Sequence, residues 1–208
     1  RNTALQASED SMTPTIWLLG LSGSGKTTLG SLLRLYLDGQ GFDVEFIDAD
    51  TFCRSNGLSA ATPEDRVRNT DALRDYALSL QAQGKLCVVA AATPYESMRQ
   101  SNRAMLPMYR EVWVRCSLQT LVQRDAKGLY AKAERGDLST LDSVFDAFDE
   151  PRSPHSIIDT DRYSLVECYE QLRDLTLDAL AQDREWADTG RRMLPQASGP
   201  FMNAAIAL

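Results

Sequence analysis

Thr15-Ile-Trp-Leu-Leu-Gly20-Leu-Ser-Gly-Ser-Gly25-Lys26-Thr27 decides the fold of this 208-residue chain. The first five residues form an apolar run of strand length. From Gly20 onward the pattern G-x-x-x-x-G-K-[ST] is met at every fixed position. Glycines let the backbone wrap so that successive N–H groups point inward, a concavity suited to phosphate oxygens. Lys26 would reach the β- and γ-phosphates of a nucleoside triphosphate, and the Thr27 hydroxyl would hold magnesium. Leu29, Leu32, Leu33 and Tyr36 then recur at helical spacing, so a helix starting near Lys26 aims its positive end at the same point. A glycine-rich turn arising by chance would lack a strand before it and an amphipathic helix after it. Gly20, Ser22, Gly23, Ser24, Gly25, Lys26, Thr27 and Thr28 are therefore the candidate nucleotide cradle, with ATP and Mg2+ as its ligands.

Outward from this loop, strands and helices alternate. Gly39 and Gly41 end the first helix, and Val44–Asp48 reads as a second strand. A loop is expected from Thr51 to Ala61. Thr62-Pro63-Glu64-Asp65 has the chemistry of a helix start, with Thr as cap and Pro in the first turn. Leu73, Tyr76, Ala77 and Leu80 are expected on that helix's buried face. Further strands are read at 86–91, 111–116 and 156–160, with helices at 96–106, 118–124 and around Leu165 to Leu172. The alternation predicts an α/β three-layer sandwich, a five-stranded parallel sheet with helices on both faces and the first strand at its centre.

Bulk properties narrow the function. Hydrophobic residues make up 43% and charged residues 25% of the chain, as in ordinary globular proteins. The net charge of -7 argues against a nucleic-acid partner, because a phosphate backbone demands a basic surface. The longest apolar stretch, 87–92, is too short for a membrane span. Four scattered cysteines without a CxxC pair and a single histidine, His155, disfavour a zinc site. Cys87 and Cys116 read as small core residues. A reducing, cytoplasmic compartment is expected. Residues 1–11 read as a leader or added segment, 12–185 as a kinase domain with a lid at about 127–151, and 186–208 as a tail.

Asp48 and Asp50 close the second strand, where parallel sheets present their ligand crevice. Two carboxylates there suit hydrated magnesium and proton abstraction from a hydroxyl, or simple turn chemistry. Arg66, Arg124, Lys127 and Arg135 are candidate cationic clamps for charge on a moving phosphoryl group.

Several segments together resemble the adenylyl-sulfate kinase family of P-loop kinases, in order from about residue 16 to 169. They are Gly20-Leu-Ser-Gly-Ser-Gly-Lys-Thr27, Asp48-Ala-Asp50, Glu64-Asp-Arg-Val-Arg-Asn69, Ala92-Thr-Pro-Tyr95 and Arg124-Asp-Ala-Lys-Gly-Leu-Tyr130. The resemblance implies a P-loop, nucleoside-kinase-like fold that phosphorylates the ribose 3′-hydroxyl of adenylyl sulfate in sulfate assimilation. A homodimer is a further expectation. It makes Lys26, Asp50 and Arg124 the catalytic group, with Asp50 as base, and Thr27 and Asp48 the magnesium ligands. Substrate contacts fall to Asp48, Arg54, Leu58, Arg66, Asn69, Thr93, Pro94, Lys127, Gly128, Leu129 and Leu141.

Departures from the family pattern lie on the acceptor side. Asp48-Ala-Asp-Thr-Phe-Cys53 replaces the family's Asp-Gly-Asp-Asn-Val-Arg, leaving its arginine lost or shifted to Arg54. Leu58 and Leu141 stand where the family clamps adenine between two phenylalanines. Either the leucines are plain apolar replacements, with Phe145 able to take over stacking, or the pocket reads another base. Three functions are thus carried: an adenylyl-sulfate kinase, a paralogous kinase for another activated nucleotide such as cytidine diphosphoramidate in surface-polysaccharide biosynthesis, and a catalytically silent nucleotide-binding module.

Overall fold

The computed structural model describes residues 13–59, 62–125, 128 and 148–182. The proposed leader, the tail and most of the expected lid lie outside them. Five parallel strands form one sheet: β1 (Thr15–Leu19), β2 (Val44–Asp48), β3 (Leu86–Ala90), β4 (Tyr109–Arg115) and β5 (Ser156–Asp159). Their order is β2-β3-β1-β4-β5, so β1 is central as expected. Between them run α1 (Lys26–Gly39), α2 (Ala49–Ser55), α3 (Pro63–Gln81), α4 (Glu96–Met105) and α5 (Leu118–Arg124), and α6 (Leu165–Gln182) follows β5. Among the described residues no helix is long and apolar enough to cross a membrane.

Alternation along the strands builds two cores. Ile16 and Leu18 of β1 face one side, with Val88, Val112 and Val114, under Leu29, Leu33 and Leu37 of α1 and Leu172 of α6. Trp17 and Leu19 face the other, with Val89 and Trp113, under Leu73, Ala77 and Leu80 of α3. All five residues of β1 are buried, which accounts for a continuous apolar run rather than an alternating one.

Thr62 caps α3 by accepting from the Asp65 N–H while the Asp65 carboxylate accepts from the Thr62 N–H. Such a cap is worth about 1 kcal/mol, and it starts α3 where the sequence placed it.

Three expectations need correction. The segment after β2 is not all loop: α2 begins immediately, because the Asp48 carboxylate accepts from the Thr51 N–H at 3.0 Å and nucleates the turn. Asp50 therefore sits in a helical first turn rather than on the strand. Tyr76 is 40% exposed and packs beside Phe52 of α2 instead of entering the core. Cys116 lies one residue past β4 and is half-buried, with its thiol 3.3 Å from the Asp161 carboxylate.

Candidate active site

The carboxyl end of the sheet carries the site. Gly20 ends β1 with φ 143°, and a Cβ there would lie 2.4 Å from the Val114 carbonyl. The loop can thus cross β4 only with glycine at this position. Gly23 and Gly25 also take positive φ, of 83° and 102°. The Leu21 carbonyl accepts from the Ser24 N–H at 3.2 Å and from the Lys26 ammonium at 2.7 Å. Lys26 is therefore folded over its own loop at the start of α1, where the loop's N–H groups and the helix dipole converge on an anion.

Across from it, the Thr27 hydroxyl donates to the Asp48 carboxylate at 2.8 Å. Asp48 is doubly engaged, with one oxygen on Thr27 and the other capping α2. A cleft of about 930 Å³ brings Thr27, Asp48, Asp50 and Arg54 together, with Phe52 and Tyr76 in its wall. Asp50 and Arg54 are one helical turn apart on α2 and both exposed. Arg54 donates to the Thr51 hydroxyl at 3.3 Å. A hydroxyl beside a carboxylate is a hard-oxygen pair suited to a small divalent cation.

Arg124 ends α5 on the opposite flank. Its guanidinium donates to the Thr160 carbonyl at 2.7 Å and hydroxyl at 3.2 Å. That hydroxyl lies 3.2 Å from the Ser24 carbonyl, so Thr160 ties Arg124 to the phosphate loop. Asp161, next in sequence, accepts from the Ser117 N–H at 2.7 Å. Partial desolvation raises its carboxyl, but hydrogen bonds from Thr120, Ser117 and Cys116 outweigh that and bring it down to about 2.

Of the other predicted residues, Thr93 and Pro94 form the β3–α4 turn and Arg66 reaches it. Arg66 of α3 donates to the Tyr95 hydroxyl at 3.4 Å. Asn69 is buried and gives its amide to the Ser59 carbonyl at 2.8 Å, holding the chain that follows α2. Thr93 is buried, its hydroxyl accepting from the Trp17 indole at 2.8 Å. Its φ of 46° is a left-handed conformation that a β-branched residue rarely adopts. Pro94 follows, half-buried. Leu58 is 37% exposed just past α2. Gly128 has φ 63° and donates to the Asp125 carbonyl at 2.8 Å. Lys127, Leu129, Leu141, Arg135 and Phe145 lie outside the described residues.

Four residues with parts in this site were not singled out from sequence: Trp17, Tyr95, Arg99 and Thr160. Thr160 sits at the carboxyl end of β5, where the rule that flagged Asp48 would also have found it. Tyr95 stood in the Ala92–Tyr95 segment without a role of its own, and Trp17 and Arg99 each bond to a residue far off in the chain.

A nucleotide-phosphate loop on the central parallel strand, with a carboxylate at the end of the second, defines a P-loop kinase. The sequence model of the family described as Adenylylsulphate kinase matches residues 12–159. An adenylyl-sulfate kinase of Chloroflexus aurantiacus is 38% identical over 159 residues, 76% of this chain and 85% of that protein. A probable adenylyl-sulfate kinase of Archaeoglobus fulgidus is 34% identical, over 71% of this chain and 96% of its own. The solved Mycobacterium tuberculosis APS kinase in complex with AMPPNP and APS is 29% identical with a TM-score of 0.73, covering 79% of this chain and 97% of that one. The chain belongs to the adenylyl-sulfate kinase family.

Proposed function

We propose that the chain transfers the γ-phosphoryl group of ATP to the ribose 3′-hydroxyl of adenylyl sulfate, giving 3′-phosphoadenylyl sulfate and ADP. The observation that carries this reading is the 2.8 Å contact of Thr27 with Asp48 in the cleft that also holds Asp50, in a chain of this family. Lys26 and the loop N–H groups bind and orient the phosphates of ATP. The Thr27 hydroxyl and the Asp48 carboxylate fit magnesium, which supplies charge neutralisation at the phosphates when bound. Asp50 takes the proton of the 3′-hydroxyl as its oxygen bonds to phosphorus, and the bond to the β,γ-bridging oxygen breaks to release ADP. Arg124 approaches the ATP phosphates. Arg54, Arg66 and Lys127 serve the anionic acceptor. Asn69, Thr93 and Pro94 shape its cleft, and Leu58 and Leu141 flank its base, beside Gly128 and Leu129.

A second reading, a kinase for another activated nucleotide, is favoured by one feature. Leu58 stands exposed where the resemblance leads one to expect an aromatic wall, and aromatic stacking is worth about 1–3 kcal/mol per base. The intact pairing of Thr27 with Asp48 speaks against a silent nucleotide-binding module. The test supplies the chain with ATP, magnesium and either adenylyl sulfate or cytidine diphosphoramidate, following ADP and the mass of the product. ADP release that depends on adenylyl sulfate and yields a phosphorylated nucleotide is expected. Turnover with the cytidine compound alone would transfer the assignment to the second reading. No acceptor-dependent turnover at all would overturn both.

A further inference from the structure

Arg99 is a charge that the reaction outlined above does not use. It lies on α4, fully buried, and is among the largest side chains removed from solvent. Its guanidinium donates to the Thr93 carbonyl at 2.9 Å, the Pro94 carbonyl at 3.2 Å and the Asp149 carbonyl at 2.7 Å. It also pairs with Glu96 at 2.9 Å. The Phe148 ring lies 5.8 Å from its carbon centre and 6.4 Å from the Trp113 ring. Around it the two segments are sewn directly to each other. The Asp149 N–H donates to the Pro94 carbonyl at 2.9 Å, and the Asp149 carboxylate accepts from the Glu96 N–H at 3.0 Å.

Burying a guanidinium is costly unless its donors are spent. Here the planar fork reaches three carbonyls from two separate chain segments, one of them fifty residues from Arg99, a geometry that a lysine ammonium cannot copy. Glu96 carries the compensating charge and shares it with Arg103, which reaches the buried Glu111 at 2.8 Å. Backbone strain is stored at the same turn. Thr93 holds a left-handed φ, and such strain persists only where surroundings over-determine it. Trp17 grips its side chain and Arg99 its carbonyl. The turn so fixed presents Tyr95, whose hydroxyl meets Arg66.

We infer that Arg99 is a positioning residue for the acceptor. It locks the Thr93–Pro94 turn, assigned above to the acceptor, to the Phe148–Asp149 segment, so that the turn keeps one position. This rests on the adenylyl-sulfate reading. Arg99 touches no described part of the phosphate loop, and the turn it holds meets that loop through the Ala92 carbonyl, so its effect falls on the acceptor more than on ATP.

Initial rates with ATP, magnesium and adenylyl sulfate test this in Arg99→Lys, in Glu96→Gln, and in Arg99→Lys combined with Thr93→Gly. Arg99→Lys should raise KM for adenylyl sulfate about tenfold, with KM for ATP changed less than about threefold on the same scale. Glycine takes positive φ at no cost, so adding Thr93→Gly should recover part of that loss, which a merely structural role would not do. Should Arg99→Lys fail to fold, Glu96→Gln carries the test, with an expected rise in acceptor KM of about threefold. Equal rises in both KM values, or an unchanged acceptor KM, would overturn the inference while leaving the activity assignment standing. A parent chain inactive with adenylyl sulfate would remove both.

Discussion

The phosphate loop and the β3–α4 turn lie side by side, joined by the Gly20 N–H donating to the Ala92 carbonyl at 3.3 Å, yet they are built in opposite ways. The loop is held by its own residues: Leu21 carbonyl to Ser24 and Lys26, glycines at positive φ, and a helix that starts at Lys26. The turn is held by residues distant in the chain, Trp17 from β1 and Asp149 from beyond α5, together with Arg99 of the adjoining α4. A local device can move between proteins as a motif. A device assembled from several segments leaves no such motif.

The sharpest way to break this contrast is chemical. Asp50→Asn should cut kcat by about 10²–10⁴-fold, the usual worth of a general base, with nucleotide affinity measured by calorimetry nearly unchanged. Lys26→Ala should cost about 10²-fold or more through lost charge stabilisation and should weaken ATP as well. If Asp50→Asn weakened ATP as strongly as Lys26→Ala does, the two sides would not be separable.

A milder change probes the distant supports. Trp17→Phe keeps an aromatic ring but deletes the hydrogen bond to Thr93, worth about 1 kcal/mol, and leaves part of the buried indole volume empty. KM for the acceptor should rise about fivefold by the same conversion, with KM for ATP steady. An ATP-selective defect would place Trp17 with the wrong partner.

The smallest effect expected is in acid. The Asp161 carboxyl is depressed from its ordinary 3.8 to about 2. A depressed carboxylate stabilises the fold fully above its unfolded pKa and loses that contribution as pH falls through the native one. Denaturation of the parent and of Asp161→Asn should therefore differ by a constant amount above about pH 5, and the difference should shrink between about pH 4 and 2. A difference that persisted at about pH 2 would show that Asp161 acts by shape and not by charge. Because the group is nearly solvent-accessible, screening keeps the effect small.

What the chain alone determined is the part encoded by near neighbours. The loop from Gly20 to Thr27, the strand before it, the cap at Thr62 and the order of alternating elements are local patterns, and each appeared close to where it was read. Asp48 and Asp50 were found from a rule about strand ends, but the helix that begins at Ala49 was not. Its start depends on a single side-chain cap, which turn-forming residues such as Asp and Thr offer equally to loops. Tyr76 looked apolar enough for the core, and only the placement of α2 beside it decided that it would face the cleft. Arg99 is the extreme case. Read along the chain it is one of two arginines in a polar helix, and its neighbours in sequence do not distinguish it from a solvated charge. Thr93, Pro94 and Glu96 are near in sequence, but only tertiary packing brings the Asp149 carbonyl, fifty residues away, to the same guanidinium, and such a partner leaves no periodicity to read.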